Sequence, residues 1–273
     1  MKKIVIAGIV VLVLVAIGYF LLAPSAATAA ILYVETGQVD VDTGKGWQAG
    51  TDEMELAEGN KVRTGDGEAT VVLLEGEVLH LEPNSEVTLS EIGKTIKITQ
   101  TTGETWNKIT KISGIEEYTI ETPTTVATVR GTEFMLNEEE LAVDDGEVDY
   151  GHKGEPGKIK VRGKKRALAN VMKEEDMPPE MLEKMKRFPE KYERALKRVR
   201  MHEIRKHKGI IMKAAEKKGY TEEQMLQELN EIDEGRKNEE EFYQKVPAMM
   251  KPKAKRTYLL TKEIKKAKAR QMQ

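Results

Sequence analysis

Three observations predict a mainly β protein with a helical tail. The 273-residue chain opens on a charge-free apolar run, continues in short alternating segments broken by turn residues, and changes after Val161 to helix formers. The expected division is a transmembrane or signal helix over residues 1–30, a β-sandwich over 31–172 and a basic α-helical region over 173–273.

The first element follows from polarity. Met1-Lys2-Lys3 precedes an uninterrupted apolar stretch from Ile4 to Leu22. At about 1.5 Å per residue such a helix covers roughly 28 Å, close to the ~30 Å hydrocarbon core of a bilayer. Lysines on the short leading side keep that side cytoplasmic, so the rest of the chain is expected outside the cytoplasm. Ala27-Thr28-Ala29 offers a small-residue cleavage pattern, and a chain secreted after signal cleavage is the alternative. The apolar run exceeds the usual secretory length, which favours a retained anchor.

The second element follows from a period of two. Ala69, Val71 and Leu73 share one strand face, and Leu79 with Leu81, Val87 with Leu89 and Ile96 with Ile98 repeat the pattern. Thr43-Gly44-Lys45-Gly46, Gly65-Asp66-Gly67, Glu75-Gly76, Pro83-Asn84, Asp145-Gly146 and Pro156-Gly157 reverse the chain between them. Many short strands at this spacing indicate a sandwich or barrel.

The third element follows from caps and a helical stripe. Pro178-Pro179 opens one helix, and Phe188-Pro189 ends it and begins the next. Tyr192, Leu196, Val199, Ile204, Ile211 and Ala215 then trace an apolar stripe that Gly219 stops. Thr221-Glu222-Glu223-Gln224 reads as a capping box leading into Met225, Leu226, Leu229 and Ile232. Helices around Glu239–Gln244 and from Lys255 to Ala269 complete the tail. Glu203 and Lys206 interrupt any heptad seam, so a bundle is expected rather than a long coiled coil.

Charge divides the same way. From His152 onward there are 34 Lys+Arg and 20 Asp+Glu, a net of +14, which leaves 10 basic and 26 acidic groups, a net of −16, before it. Opposed regions either meet different partners or attract each other. The absence of cysteine excludes a disulfide scaffold and thiolate metal sites.

No catalytic motif emerges, and no cofactor or metal is expected. His202-Glu203 begins a zinc-peptidase pattern, but Lys206 stands where the second histidine belongs and His207 lies about 100° around the helix. Gly44, Gly46 and Gly50 lack nucleotide-loop spacing. Asp40, Asp42 and Asp52 have the chemistry of calcium ligands, but alternation with Val39 and Val41 fits solvent-facing strand carboxylates better. Trp47 and Trp106 read as core or rim, and no partner of His80 or His152 is visible in the sequence.

An ordered set of fragments carries a resemblance. Val34-Glu35-Thr36-Gly37-Gln38-Val39, Gly46-Trp47 and Leu56-Ala57-Glu58-Gly59-Asn60-Lys61-Val62-Arg63-Thr64-Gly65 come first. Leu79-His80-Leu81-Glu82-Pro83-Asn84-Ser85 follows, then Thr122-Pro123 and Val126-Ala127-Thr128-Val129-Arg130-Gly131-Thr132-Glu133-Phe134. Over residues 34–150 this resembles the FecR-domain family. The resemblance implies a jelly-roll-like β-sandwich, an extracytoplasmic location and a sensory role. Its best-known members relay a transporter signal to a cytoplasmic sigma factor, which requires a cytoplasmic segment before the span. Here only Met1-Lys2-Lys3 precedes it, so the relay is not expected.

Within the signature Thr122, Pro123, Arg130, Gly131, Thr132 and Phe134 read as architectural. Pro123 fits a strand start, Gly131 a bulge, and Arg130 is expected to pair with a carboxylate. The expected function is a non-enzymatic binding or sensory module for a protein or cell-envelope polymer at the membrane. A structural envelope protein that forms homo-oligomers through its acidic and basic regions is the alternative. The export segment argues against nucleic acid as partner.

Overall fold

The computed structural model describes residues 30–73, 76–110, 115–206, 208–209, 221–245 and 251–271. The stretch from Ile4 to Leu22, with the anchor expected there, lies outside them, as do Ile211, Ala215 and Gly219 of the expected helical stripe. Among the described residues no helix is long and apolar enough to cross a membrane.

The strands run in chain order as β1 (Ala30–Thr36), β2 (Val39–Asp42), β3 (Trp47–Ala49), β4 (Met54–Leu56), β5 (Lys61–Thr64), β6 (Glu68–Leu73), β7 (Val78–Leu81), β8 (Glu86–Ile92) and β9 (Thr95–Thr102). They continue as β10 (Thr105–Lys108), β11 (Glu117–Glu121), β12 (Thr125–Val129), β13 (Glu133–Leu136), β14 (Glu140–Asp145), β15 (Glu147–His152), β16 (Ile159–Arg162), β17 (Lys165–Leu168) and β18 (Glu174–Asp176). The helices are α1 (Pro179–Met185), α2 (Phe188–Lys206), α3 (Glu222–Asp233), α4 (Glu239–Lys245) and α5 (Lys251–Gln271).

Among the described residues two nine-stranded sheets form a sandwich. Sheet I has the order β18-β17-β14-β13-β10-β7-β6-β1-β4, and sheet II the order β16-β15-β12-β11-β9-β8-β5-β2-β3. From β6 onward the chain lays hairpins alternately in one sheet and the other, with β10 crossing singly. The pairing of β9 with β11 is parallel, and every other ladder is antiparallel.

The expected strand faces line the core. Ala69, Val71, Leu73, Leu79 and Leu81 of sheet I meet Val87, Leu89, Ile96 and Ile98 of sheet II, all fully excluded from water. A buried polar bridge ties the layers together: Tyr118 on β11 donates to Asn107 Oδ1 on β10 at 2.7 Å. Burial holds the Tyr118 phenol far above its ordinary range, so it stays a donor.

Sheet I is also buried on its second face. Ile31, Tyr33, Val72, Val78, Trp106, Met135 and Ala142 point away from the sandwich and pack under Met181, Met185, Phe188, Tyr192, Leu196, Val199, Leu260 and Ile264. The helices thus make a third layer, with α2 lying along α5. Its chemistry follows the expected signals: α1 carries a proline at its start, and Thr221 and Gln224 form a reciprocal capping box on α3. The buried Arg200 of α2 forks onto both carboxylate oxygens of Asp233 on α3 at 2.6 Å and also donates to Thr261 on α5.

Candidate functional site

The signature residues build the crossing from sheet II to sheet I. Thr122 is buried at the β11–β12 turn, where its Oγ1 accepts from the Thr125 amide at 2.9 Å, and Pro123 sits exposed in the turn itself. Gly131 follows β12 with φ +89°, a left-handed conformation that suits glycine. Thr132 donates to the Glu147 carbonyl at 2.9 Å, and Phe134 is buried edge-on to Tyr118. A side chain at Gly146 would approach Thr132 Oγ1 to 2.9 Å, so the neighbouring turn packs onto this crossing. Arg130 differs from expectation: it is exposed at the end of β12, with no carboxylate partner among the described residues.

The chemically dense surface lies instead under the helical layer. On the outer face of sheet I, Thr70 of β6 stands opposite His80 of β7. Ala69 pairs with Leu81, so the next position along the ladder sets Glu68 beside Glu82. Two like charges side by side on neighbouring strands repel. Lys191, in the first turn of α2, resolves this by placing its ammonium 2.9 Å from Glu68, 2.9 Å from His80 Nε2 and 3.0 Å from Glu82. The three ammonium protons match three acceptors, which leaves His80 Nδ1 to donate to Thr70 Oγ1 at 2.9 Å. The Lys191 ammonium, hydrogen-bonded to it, outweighs partial burial and holds the Glu68 carboxyl below its ordinary range. Glu82 is also lowered: burial pushes it up, but the bond from the same ammonium wins. His80, without visible partners in the sequence, is therefore the buried centre of a four-residue cluster.

Beside this clasp, α2 lays basic groups along the acidic edge of sheet I. Arg198 covers the Tyr33 ring at 4.3 Å and pairs with Glu35 and Asp52. One turn and two turns further, His202 and Arg205 meet Glu53, and Lys206 reaches Glu55 at 2.8 Å. Asp52 is thereby committed to the interface, while Asp40 pairs with Arg63 and Asp42 accepts the Gly44 and Gly46 amides; the three do not converge. At the far end Arg270 of α5 pairs with Glu133 and Asp144, and Lys108 joins Glu133 at 2.8 Å. A cleft of about 520 Å³ opens there, lined by Lys108, Glu133, Tyr192, Glu263, Lys266 and Arg270 among others.

The outer face of sheet II is different. Trp47, Asp42, Lys61, Thr88, Thr99, Glu121 and Val126 form one cross-strand row. At about 4.8 Å per strand the row is roughly 29 Å long. Trp47 is 36% exposed with the Arg63 guanidinium 4.2 Å above its ring, whereas Trp106 is buried under Phe188 at 5.5 Å. Ser90 and Thr99 share a hydroxyl contact of 2.8 Å, and Lys158 donates to Thr128 at 2.9 Å.

Comparison with known proteins places part of this architecture. The family model described as FecR protein matches residues 60–149, from the start of β5 into β15. Two crystal structures of a candidate anti-sigma factor from Parabacteroides distasonis ATCC 8503 are similar over 43% of this chain and 58% of theirs, at 14% identity and TM-scores of 0.36 and 0.37. The match thus spans little more than half the length of those proteins. No curated protein matches the sequence. Residues 60–149, which hold the β11–β13 signature crossing and the Glu68, His80 and Glu82 positions of the clasp, are matched as a FecR domain.

Proposed function

We propose that this chain is a non-enzymatic binding or sensory module held outside the cytoplasm, and that its ligand surface is the outer face of sheet II. One observation carries this reading. The sandwich has two outer faces; the chain's own helices cover that of sheet I, while the cross-strand row of sheet II keeps its side chains partly or fully exposed. A hydroxyl-rich surface about 29 Å long is broad and shallow, which suits a protein or a polymer better than an enclosed small molecule. Trp47 with its stacked Arg63 supplies an amphipathic anchor at one edge.

Export rests on the lysine-led apolar run of Ile4 to Leu22, which favours a membrane anchor with the sandwich facing outward. The rival structural reading needs free acidic and basic surfaces to assemble copies. Much of that charge is instead paired within one chain, as Arg198, Arg205, Lys206 and Arg270 demonstrate.

Crosslinking in intact cells followed by affinity isolation tests the proposal. A specific envelope protein or polymer should be recovered, and Trp47→Ala together with Thr99→Arg should reduce its capture severalfold. Recovery of the chain alone would favour the structural reading.

A further inference from the structure

The cluster under the start of α2 has the chemistry of a metal centre. Glu68, His80 and Glu82 each offer one ligand atom, and these atoms lie within 4.8 Å of one another. His80 Nε2 is 3.4 Å from the Glu68 carboxylate and 3.6 Å from that of Glu82. Donors about 2.1 Å from a shared four-coordinate ion are themselves about 3.4 Å apart, so little movement separates this arrangement from coordination. The bond from His80 Nδ1 to Thr70 fixes the ring and turns the Nε2 lone pair inward, as an outer-shell partner does for a metal-bound histidine. A cation already occupies the centre, since the Lys191 ammonium touches all three ligand atoms at 2.9–3.0 Å.

We propose that Glu68, His80 and Glu82 form a divalent-cation site that Lys191 closes in cis, so that metal binding and docking of the start of α2 exclude each other. One imidazole and two carboxylates suit a first-row transition ion such as Zn²⁺; Ca²⁺ and Mg²⁺ prefer all-oxygen shells. The seat is reachable, because Glu68 and Glu82 keep 29% and 21% of their side chains exposed at its rim. With Lys191 withdrawn, two neighbouring carboxylates remain beside an unprotonated imidazole nitrogen, and the site then attracts a divalent ion. Linkage makes the coupling reciprocal: an ion that displaces the ammonium weakens helix docking, and a docked helix weakens the ion. This goes beyond the binding role of sheet II, since the two surfaces lie on opposite sides of the sandwich.

Titration calorimetry with ZnCl₂ on the full chain in detergent, at neutral pH, tests the inference. Lys191→Met keeps the apolar stem and removes the competing charge; Lys191→Gln serves as a second variant should Met disturb folding, which far-ultraviolet circular dichroism reports. At least one of the two should bind one Zn²⁺ per chain about tenfold or more tighter than wild type, and adding His80→Ala should abolish that uptake. In the wild type, saturating Zn²⁺ should speed limited proteolysis within α2. The proposal is overturned if folded Lys191 variants take up no stoichiometric Zn²⁺, bind it no tighter than wild type, or keep it after His80→Ala.

Discussion

Glu68 shows how one side chain ties pH to stability. Its carboxyl is held below the ordinary value of 4.5 in the folded protein by the Lys191 ammonium bonded to it. A lowered folded value means that the stabilisation is complete above the unfolded value and is lost as pH falls through the folded one. Glu68→Gln should therefore destabilise the protein at pH 7 by about 1 kcal/mol, a charged hydrogen bond discounted for partial exposure. Denaturant unfolding at pH 7 and near pH 2 checks this, since the difference from wild type should shrink at the lower pH. Arg200 carries a larger expectation. It and Asp233 are almost fully buried, so Arg200→Ala strands an unpaired carboxylate and should cost about 3–5 kcal/mol, read as a lower melting midpoint. Neither cluster was legible in the sequence. His80 stands between two core leucines, 111 positions before Lys191, and the meeting of strand and helix depends on how the third layer docks.

At the scale of elements, much was legible because its causes are local. The Thr221 capping box satisfies helix donors with side chains three residues apart, and it forms as read. Thr221→Ala should cost about 1 kcal/mol, seen as earlier loss of helical signal on heating. The two sheets also carried different signatures. Sheet II strands alternate over much of their length, as in Glu86–Ser90 and Thr95–Gln100, whereas Ala30–Val34 and Ala69–Leu73 are nearly continuous apolar runs that mark burial on both faces. That difference could have announced a third layer, but no local rule says which helix covers which run. The aromatic series Trp106, Phe188 and Tyr192 makes the choice, with stacks of 5.5 and 6.3 Å. Phe188→Ala should weaken helix docking by about 3–5 kcal/mol and expose Trp106, detectable as a red shift of its fluorescence.

Across the whole molecule, the opposed charges of the two regions become an internal interface. Lys184 meets Glu104, Lys191 meets Glu68 and Glu82, and Arg270 meets Glu133 and Asp144, each joining the tail to the sandwich. Exposed pairs contribute only about 0–1 kcal/mol each and are screened by salt, so the apolar contacts of α2 and α5 hold the layer while the ion pairs set its register. Light scattering from dilute to 1 M salt should accordingly show an unchanged mass. A mass that falls with salt would point to assembly between chains through the charged regions.

The sequence by itself determined the alternating strands, the turns that part them, the capped helices, the family resemblance over the signature and the imbalance of charge, because each depends on neighbours a few positions apart or on composition. Only the tertiary structure decided that the tail covers sheet I, that Arg130 faces solvent and that Lys191 sits among Glu68, His80 and Glu82. Those outcomes depend on which surfaces exclude water together, a property of faces brought into contact from distant parts of the chain.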